Sequence, residues 1–224
     1  MKEIIHFAHG NGFPSPCYQQ MLKILARKFD YLYIDRLGHN EDFPVTDNWE
    51  NLVDEVIDSI ESQTQEKVIG LGHSLGGVLT LLAAIAKPQL FKMVIMLDSP
   101  LLNRIRSTLL FLSKKFGIVD ILTPAFRTKN RREYWNTRED AISYLQHKAL
   151  FRYFTQECLN DYIDYGMEHN ENGYALRFDP EIEYKIYRTI PHSLYTYENQ
   201  LKLPAAVIFG TKSWRQNVHN TKFF

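Results

Sequence analysis

The chain has 224 residues, enough for one domain with a buried core or for one domain that carries a sizeable insertion. Its composition, 45% hydrophobic and 23% charged, is ordinary for a globular protein, and its net charge of zero gives no overall attraction to nucleic acid or to an anionic membrane. The two cysteines form neither a metal-ligand motif nor a disulfide framework. Since the chain shows neither a secretory signal nor an apolar run long enough to cross a bilayer, we expect a soluble cytoplasmic protein.

Short apolar runs alternate with helical patterns in the first hundred residues. We predict strands buried on both faces for IIHFA at 4–8, YLYI at 31–34, KVIGL at 67–71 and MVIML at 93–97. Between them, residues 17–29 and 48–62 place apolar side chains at three- and four-residue spacing, which is typical of amphipathic helices. Asp47 and Asn48 are expected to cap the second of these helices, and a third helix is expected after Ser74. This alternation predicts an α/β fold with a parallel sheet flanked by helices.

The pattern changes after Pro100. Residues 101–200 have the pattern of helical pieces joined by loops, without a convincing buried strand, whereas PAAVIFG at 204–210 restores the strand pattern. We therefore predict a core formed by residues 1–100 and 201–224, into which residues 101–200 are inserted as a mostly helical cap. The basic cluster RTKNRRE at 127–133 suits either an anionic ligand or, as is more frequent, a solvated surface.

The segment LGHSLGG at 71–77 contains G-x-S-x-G between a predicted strand and a predicted helix. In that context the serine, Ser74, lies on a sharp turn with its hydroxyl above the end of the sheet, and the flanking glycines avoid collisions with neighbouring backbone. The alternative is a serine that caps a helix in a glycine-rich turn. The context favours a nucleophile.

A second glycine motif, HGNGFP at 9–14, follows the first predicted strand. A tight turn there directs a backbone N–H toward the space above the nucleophile, where a tetrahedral intermediate needs two donors. We predict that the N–H groups of Asn11 and Leu75 form this oxyanion hole. The alternative, a plain glycine loop, is weaker because both motifs follow adjacent parallel strands, where such folds bind ligands.

Together these segments resemble the α/β-hydrolase superfamily. HGNGFP is similar to its oxyanion loop, DRLGH at 35–39 to its D-x-x-G-H turn, GHSLGG to its nucleophile elbow, and PAAVIFGTKS to the strand after its cap domain. The resemblance covers residues 3–213. It implies a helical cap over the active site and a Ser-acid-His triad in that chain order, but it does not specify a substrate.

The acid of the implied triad has one candidate. Many members of the superfamily carry it in the loop after the post-cap strand, but that loop here is GTKSW at 210–214 and contains no carboxylate. Asp98 follows the strand at 93–97. It either orients the catalytic imidazole or, with Ser99, caps a helix that starts at Pro100.

The resemblance also implies a catalytic histidine after one further strand. His219 is the only histidine beyond residue 210, and the tail TKSWRQNVHNTKFF shows neither strand alternation nor a helical apolar stripe. We therefore expect the chain to be truncated or altered at its C-terminus, with His219 as a base only if the tail folds back to the nucleophile. The side chains expected at the substrate pocket are His9, Phe13, His73 and His192.

The leading hypothesis is a serine hydrolase in which Ser74 attacks a carboxylic ester or thioester. The alternative is a catalytically impaired protein of the same fold that only binds its ligand. No metal or organic cofactor is expected. The expected partner is a small-molecule acyl substrate rather than nucleic acid, and the oligomeric state stays open.

Overall fold

A five-stranded parallel sheet forms the centre of the computed structural model, which describes residues 2–129, 131–211 and 213. Its strands are β1 Glu3–Ala8, β2 Phe29–Tyr33, β3 Val68–His73, β4 Phe91–Leu97 and β8 Ala205–Ile208. They lie in the order β2-β1-β3-β4-β8. The predicted α/β fold is therefore confirmed. The expected burial on both faces fails for two strands: β2, at the edge of the sheet, is mostly half-buried, and β4 alternates buried residues with half-buried or exposed ones.

The two faces of the sheet pack against different helices. Ile5 and Phe7 of β1 pack with Leu22 of helix α1, Gln19–Leu25, in one hydrophobic cluster. Ala8, on the alternate face, belongs to the larger cluster formed with α2, Glu50–Gln63, and α3, Leu75–Ala86. This alternation places α1 on one side of the sheet and both other helices on the opposite side.

The predicted caps of α2 are wrong. Asn48 and Trp49 have left-handed backbone angles, with φ of 58° and 61°, and α2 begins only at Glu50 without a side-chain cap. Asp47 instead pairs with Lys114, and the Oδ1 atom of Asn48 accepts the N–H of His192. Both side chains therefore connect this turn to the segment that follows β4.

The segment between β4 and β8 is mostly helical. Its helices are α4 Arg104–Lys115, α5 Val119–Leu122, α6 Ala125–Thr128, α7 Arg138–Gln146, α8 Gln156–Gly166 and α9 Pro180–Arg188. Among residues 2–129, 131–211 and 213, no helix is both long and apolar enough to cross a membrane. The division of the chain into a core and a separate cap domain stays a prediction.

The same segment contains a small antiparallel sheet that the sequence analysis did not predict. Its strands are β5 Tyr134–Trp135, β6 Met167–Asn170 and β7 Gly173–Leu176, in the order β5-β7-β6. The strands have only two to four residues, too few to show a clear alternation. Glu171 and Asn172 form the turn between β6 and β7, and Gly173, the first residue of β7, takes a positive φ of 129° that favours glycine.

Helix α3 lies so close to the sheet that there is no room for a side chain at one of its positions, Gly76. A Cβ atom on Gly76 would overlap the backbone carbonyl of Ala8. We expect Gly76→Ala to lower the free energy of unfolding by about 3 kcal/mol, since backbone rather than a flexible side chain has to move. Urea denaturation measures this loss.

Gly117→Ala is the matched control. Gly117 has a φ of 70° but no atom within 4 Å of its added Cβ, so only the left-handed backbone contributes, at about 1 kcal/mol. Equal losses in the two variants would show that the contact with Ala8 is unimportant.

Candidate active site

Ser74 occupies a sharp turn between β3 and α3. Its backbone angles are φ 50° and ψ −110°, a conformation that is strained for any residue other than glycine. The N–H of Ser74 donates to the carbonyl of Leu97 at 2.9 Å, which joins the turn to the end of β4. The strained strand-to-helix turn is the geometry that the G-x-S-x-G motif requires.

Two neighbouring glycines are necessary for this turn. A Cβ on Gly72 would overlap the backbone of Gly76, and a Cβ on Gly77 would overlap the Ser99 hydroxyl. The glycines therefore allow β3, α3 and the turn after β4 to meet around Ser74.

His9 fixes the HGNGFP loop from within the core. Its Nδ1–H donates to the Gly10 carbonyl at 2.8 Å, and its Nε2 accepts the N–H of Leu37 at 2.7 Å. Burial lowers the pKa of His9 to about 3, so the ring is neutral and its Nε2 remains an acceptor. His9 thus connects the HGNGFP loop to the DRLGH turn, and it does not line the cavity that contains Ser74.

Tyr18 connects the same loop to the turn at Ser74. Its phenol oxygen accepts the N–H of Gly10 at 3.1 Å and lies 2.7 Å from Nδ1 of His73. Burial raises the pKa of Tyr18, so the phenol keeps its proton and forms a neutral hydrogen-bonding group between Gly10 and His73. This role was not predicted from the sequence, where residues 17–29 were interpreted only as an amphipathic helix.

A buried ion pair clamps the loop from the other side. The Asn11 side-chain amide donates to the Glu183 carbonyl at 3.0 Å, and the Glu183 carboxylate pairs with Arg131. Arg131 also donates to the Tyr162 hydroxyl at 3.2 Å, and that hydroxyl donates to the Gly12 carbonyl at 3.5 Å. We call these side chains of Arg131, Tyr162 and Glu183 the loop clamp.

Ser74 lines a cavity of about 340 Å³. Asn11 and Leu75 line the same cavity, so the structure brings together the three residues that were assigned to attack and to the oxyanion hole. Most other lining residues are apolar and belong to the segment between β4 and β8; examples are Leu101, Leu102, Leu109, Leu110, Ile186 and Ile190. Such a lining suits an apolar acyl or alcohol group.

The other residues expected at the pocket lie elsewhere. Phe13 packs against the rings of Phe151 and Tyr162, at centroid distances of 5.9 and 4.9 Å. His73 is bonded to Tyr18, and His192 lies beside Lys114, with Nδ1 3.3 Å from its Nζ. Within the described chain none of these side chains lines the cavity, because each packs against or bonds to side chains outside it.

Asp98 lies in the turn after β4 and has a positive φ of 44°. Its Oδ1 accepts the hydroxyl of Ser213 at 2.6 Å, and its N–H donates to the Ile208 carbonyl at 2.8 Å. The alternative that Asp98 or Ser99 caps a helix at Pro100 is wrong, since α4 begins at Arg104 and Asn103 caps it. His219, the candidate base, lies outside the described residues.

In the part of the chain that the structure describes, no group of three or more His, Cys, Asp or Glu side chains is placed to hold a metal ion. The polar groups at the cavity are hydroxyls, amides and the guanidinium of Arg106. These groups suit recognition and acyl transfer.

The sequence matches one family model, described as the alpha/beta hydrolase family, over residues 7–211. It is also 32% identical over 109 residues to the uncharacterized hydrolase YugF of Bacillus subtilis (strain 168). That alignment covers 45% of this chain and spans only 39% of the relative's length.

Solved structures share the fold. The thioesterase domain from the curacin biosynthetic pathway superposes with a TM-score of 0.70 at 16% identity, covering 99% of this chain and 80% of that chain. The peroxisomal alpha-beta-hydrolase Lpx1 of Saccharomyces cerevisiae gives 0.72 at 17% identity, covering 100% and 67%. A marine microorganism esterase gives 0.64 at 19% identity, covering 94% and 77%. At these identities the likeness establishes the fold alone.

The loop clamp predicts a large loss of stability when one partner is removed. In Arg131→Leu the buried Glu183 carboxylate loses its counter-ion, so we expect the free energy of unfolding to fall by about 3–5 kcal/mol. Arg131→Leu/Glu183→Leu should recover most of that loss. Urea denaturation of the single and double variants measures the coupling.

The pH dependence of Arg131→Leu gives a second measurement. Burial raises the pKa of Glu183, and the Arg131 guanidinium opposes that shift. Without Arg131 the folded-state pKa of Glu183 rises further, so the variant should be most stable at low pH and lose stability as pH rises above about 4.5.

Lys92→Leu is the control. It breaks an exposed pair with Glu3 and should lower the free energy of unfolding by less than about 1 kcal/mol. A loss in Arg131→Leu as small as in Lys92→Leu would contradict the clamp.

Proposed function

This chain belongs to the alpha/beta hydrolase family, and we propose that it is a hydrolase that cleaves a carboxylic ester or thioester by nucleophilic attack from Ser74. The observation that carries the proposal is the position of Ser74, in a strained turn at the N-terminus of α3 and at the wall of an apolar cavity. This geometry exposes the hydroxyl to a bound acyl group while the backbone around it is fixed.

Two backbone donors support the tetrahedral intermediate in this proposal. Leu75 is the first residue of α3, so its N–H has no acceptor in a preceding helical turn. Asn11 lines the same cavity from the HGNGFP loop. Donors at such positions stabilise the negative charge that develops on the acyl oxygen, usually as the largest electrostatic contribution.

The proposed acid is Asp98. It follows Leu97, the β4 residue that pairs with His73 beside the nucleophile. A carboxylate there orients an imidazole, which takes the serine proton and then delivers it to the leaving group. His219 is the candidate base from the sequence, and it lies outside the described residues.

One observation favours a second candidate, a protein that binds an acyl ligand without turnover. Among the described residues that line the cavity there is no histidine. The described histidines have other contacts: His6 with Ser59, His39 with Leu37 and Asp179, His147 with Ser143, and His169 with Tyr174, besides those given above. A serine without a base keeps its oxyanion donors but loses most of its rate.

A fluorophosphonate probe separates the two candidates. If Ser74 is an activated nucleophile, the wild-type protein is labelled covalently and Ser74→Ala is not; ester turnover falls by about 10⁴-fold or more in that variant. Ser99→Ala is the matched control, because Ser99 is a second hydroxyl at the same cavity and its loss should leave labelling unchanged. Well-folded wild-type protein that is not labelled would contradict the hydrolytic proposal and support the binding protein.

The cavity predicts a dependence on acyl chain length that can be measured without catalysis. In Ser74→Ala, the affinity for methyl esters should rise about fourfold for each added methylene until the cavity is filled. Leu110→Phe in the same background should end this rise at a shorter chain, since Leu110 lines the cavity. Calorimetric titration gives the affinities.

Leu112→Phe is the control from the same helix. Leu112 is 39% exposed and is not among the described lining residues, so the chain-length profile should not change. Identical profiles for the two phenylalanine variants would show that the ligand binds elsewhere.

A further inference from the structure

Helix α4 exposes most of its apolar side chains, which is unusual for a helix that only packs on a core. It buries Leu110, but the other side chains that it buries are those of Ser107 and Ser113, whose exposures are 0% and 1%. Ile105, Leu109 and Leu112 of α4 recur at helical spacing on its outer face and are 72%, 55% and 39% exposed. Phe116, directly after the helix, continues this spacing and is 69% exposed. Exposed apolar stripes of this kind mark surfaces that contact a partner or a lipid phase.

The exposed apolar area continues beyond α4. Ile121 of α5 is 80% exposed and Phe126 of α6 is 69% exposed. The three helices follow one another in residues 104–128 and pack in sequence, α4 against α5 and α5 against α6. We call their outer side the α4–α6 surface.

The α4–α6 surface is also strongly basic, although the chain as a whole is neutral. The segment 104–129 contains six basic residues and one acidic residue. Five of the basic residues are exposed: Arg104, Arg106, Lys115, Arg127 and Lys129. The acidic residue, Asp120, is half-buried and already paired with Arg188.

The cavity with Ser74 reaches this surface. Arg106 and Leu109 of α4 and Leu122 of α5 line the cavity, and all three are exposed. The mouth of the cavity therefore lies beside the α4–α6 surface.

We propose that the α4–α6 surface docks on an anionic lipid surface. Exposed cations lie next to exposed apolar side chains along the chain, as in Arg104-Ile105-Arg106, Lys115-Phe116 and Phe126-Arg127. This arrangement lets the apolar groups enter the acyl region while the cations stay at the anionic headgroups.

A lipid surface fits better than a folded protein partner. The apolar side chains project from three separate short helices, and a fluid phase accommodates them without a complementary shape. The centres of protein interfaces are depleted of lysine, whereas Lys115 and Lys129 lie exposed among the apolar side chains of this surface. Docking concerns this outer surface and goes beyond the proposed hydrolysis at Ser74.

Co-sedimentation with vesicles tests the proposal. Using full-length Ser74→Ala, which leaves the lipid intact, we expect binding to phosphatidylcholine vesicles that contain about 30% phosphatidylglycerol, and much weaker binding to phosphatidylcholine alone. Raising the salt from about 0.1 M to about 1 M should weaken the binding. Because hydrolysis is not measured, failure of docking is distinguishable from failure of the proposed function, which the fluorophosphonate probe reports.

Paired variants locate the docking surface. Lys115→Gln/Arg127→Gln should lower the partition coefficient about thirtyfold, and Phe116→Glu/Ile121→Glu should lower it by at least about tenfold. The controls are Arg27→Gln/Lys28→Gln and Ile24→Glu, which change exposed cations and an apolar side chain that is 62% exposed, at or beside α1. These controls should bind vesicles like the parent.

Several results would overturn the proposal. One is that the parent protein does not sediment with anionic vesicles, and another is that the α4–α6 variants bind as well as the controls. Binding to an immobilised acidic acyl carrier protein in place of vesicles would assign the surface to a protein partner. If the protein does not bind vesicles but forms a dimer in light scattering, and Phe116→Glu/Ile121→Glu dissociates that dimer, the surface would be assigned to a second copy of the chain.

Discussion

The backbone contact between α3 and β1 is the constraint on which the rest of the site depends. Gly76 lies directly against the carbonyl of Ala8, and its N–H donates to the carbonyl of His9 at 3.1 Å. The contact therefore fixes two things together: the start of α3, where Ser74 and Leu75 lie, and the end of β1, from which the HGNGFP loop leaves. A nucleophile and an oxyanion hole have to be placed within a fraction of an ångström of each other, and backbone contact achieves this more rigidly than side-chain packing.

The HGNGFP loop is held from two sides that differ chemically. Toward the sheet, the neutral side chains of His9 and Tyr18 position it through hydrogen bonds to Gly10. Toward α9, the loop clamp positions it through a buried ion pair. Because the clamp residues lie in the segment between β4 and β8, a movement of that segment would be transmitted to Asn11 and Gly12. The segment between β4 and β8 and the HGNGFP loop are thus physically coupled in this fold.

The parts of the structure that follow from local patterns were predictable from the sequence. The strands are apolar runs, and the turn at Ser74 follows from the G-x-S-x-G pattern between a predicted strand and a predicted helix. Arg131 and Glu183 were not predictable in their roles, because they act on a loop distant in sequence; Asn11 and Glu183, for example, are 172 residues apart. The role of Tyr18 was not predictable because its hydroxyl also bonds to His73, 55 residues further along the chain. The caps expected at Asp47 and Asn48 failed for a similar reason, since Lys114 and His192 compete for those side chains.

Net charge was the least informative of the sequence properties. A total of zero gave no reason to expect an anionic partner, and the basic cluster at 127–133 suggested a solvated surface. The structure divides that cluster: Arg131 is committed to Glu183 and Arg132 to Asp140, whereas Arg127 and Lys129 remain at the surface beside Phe126. Electrostatic attraction acts over about 10 Å or less in salt, so the charge within one surface matters more than the total. A neutral chain can therefore present a basic, apolar surface at the entrance to its cavity, which is where an enzyme that takes its substrate from lipid needs one.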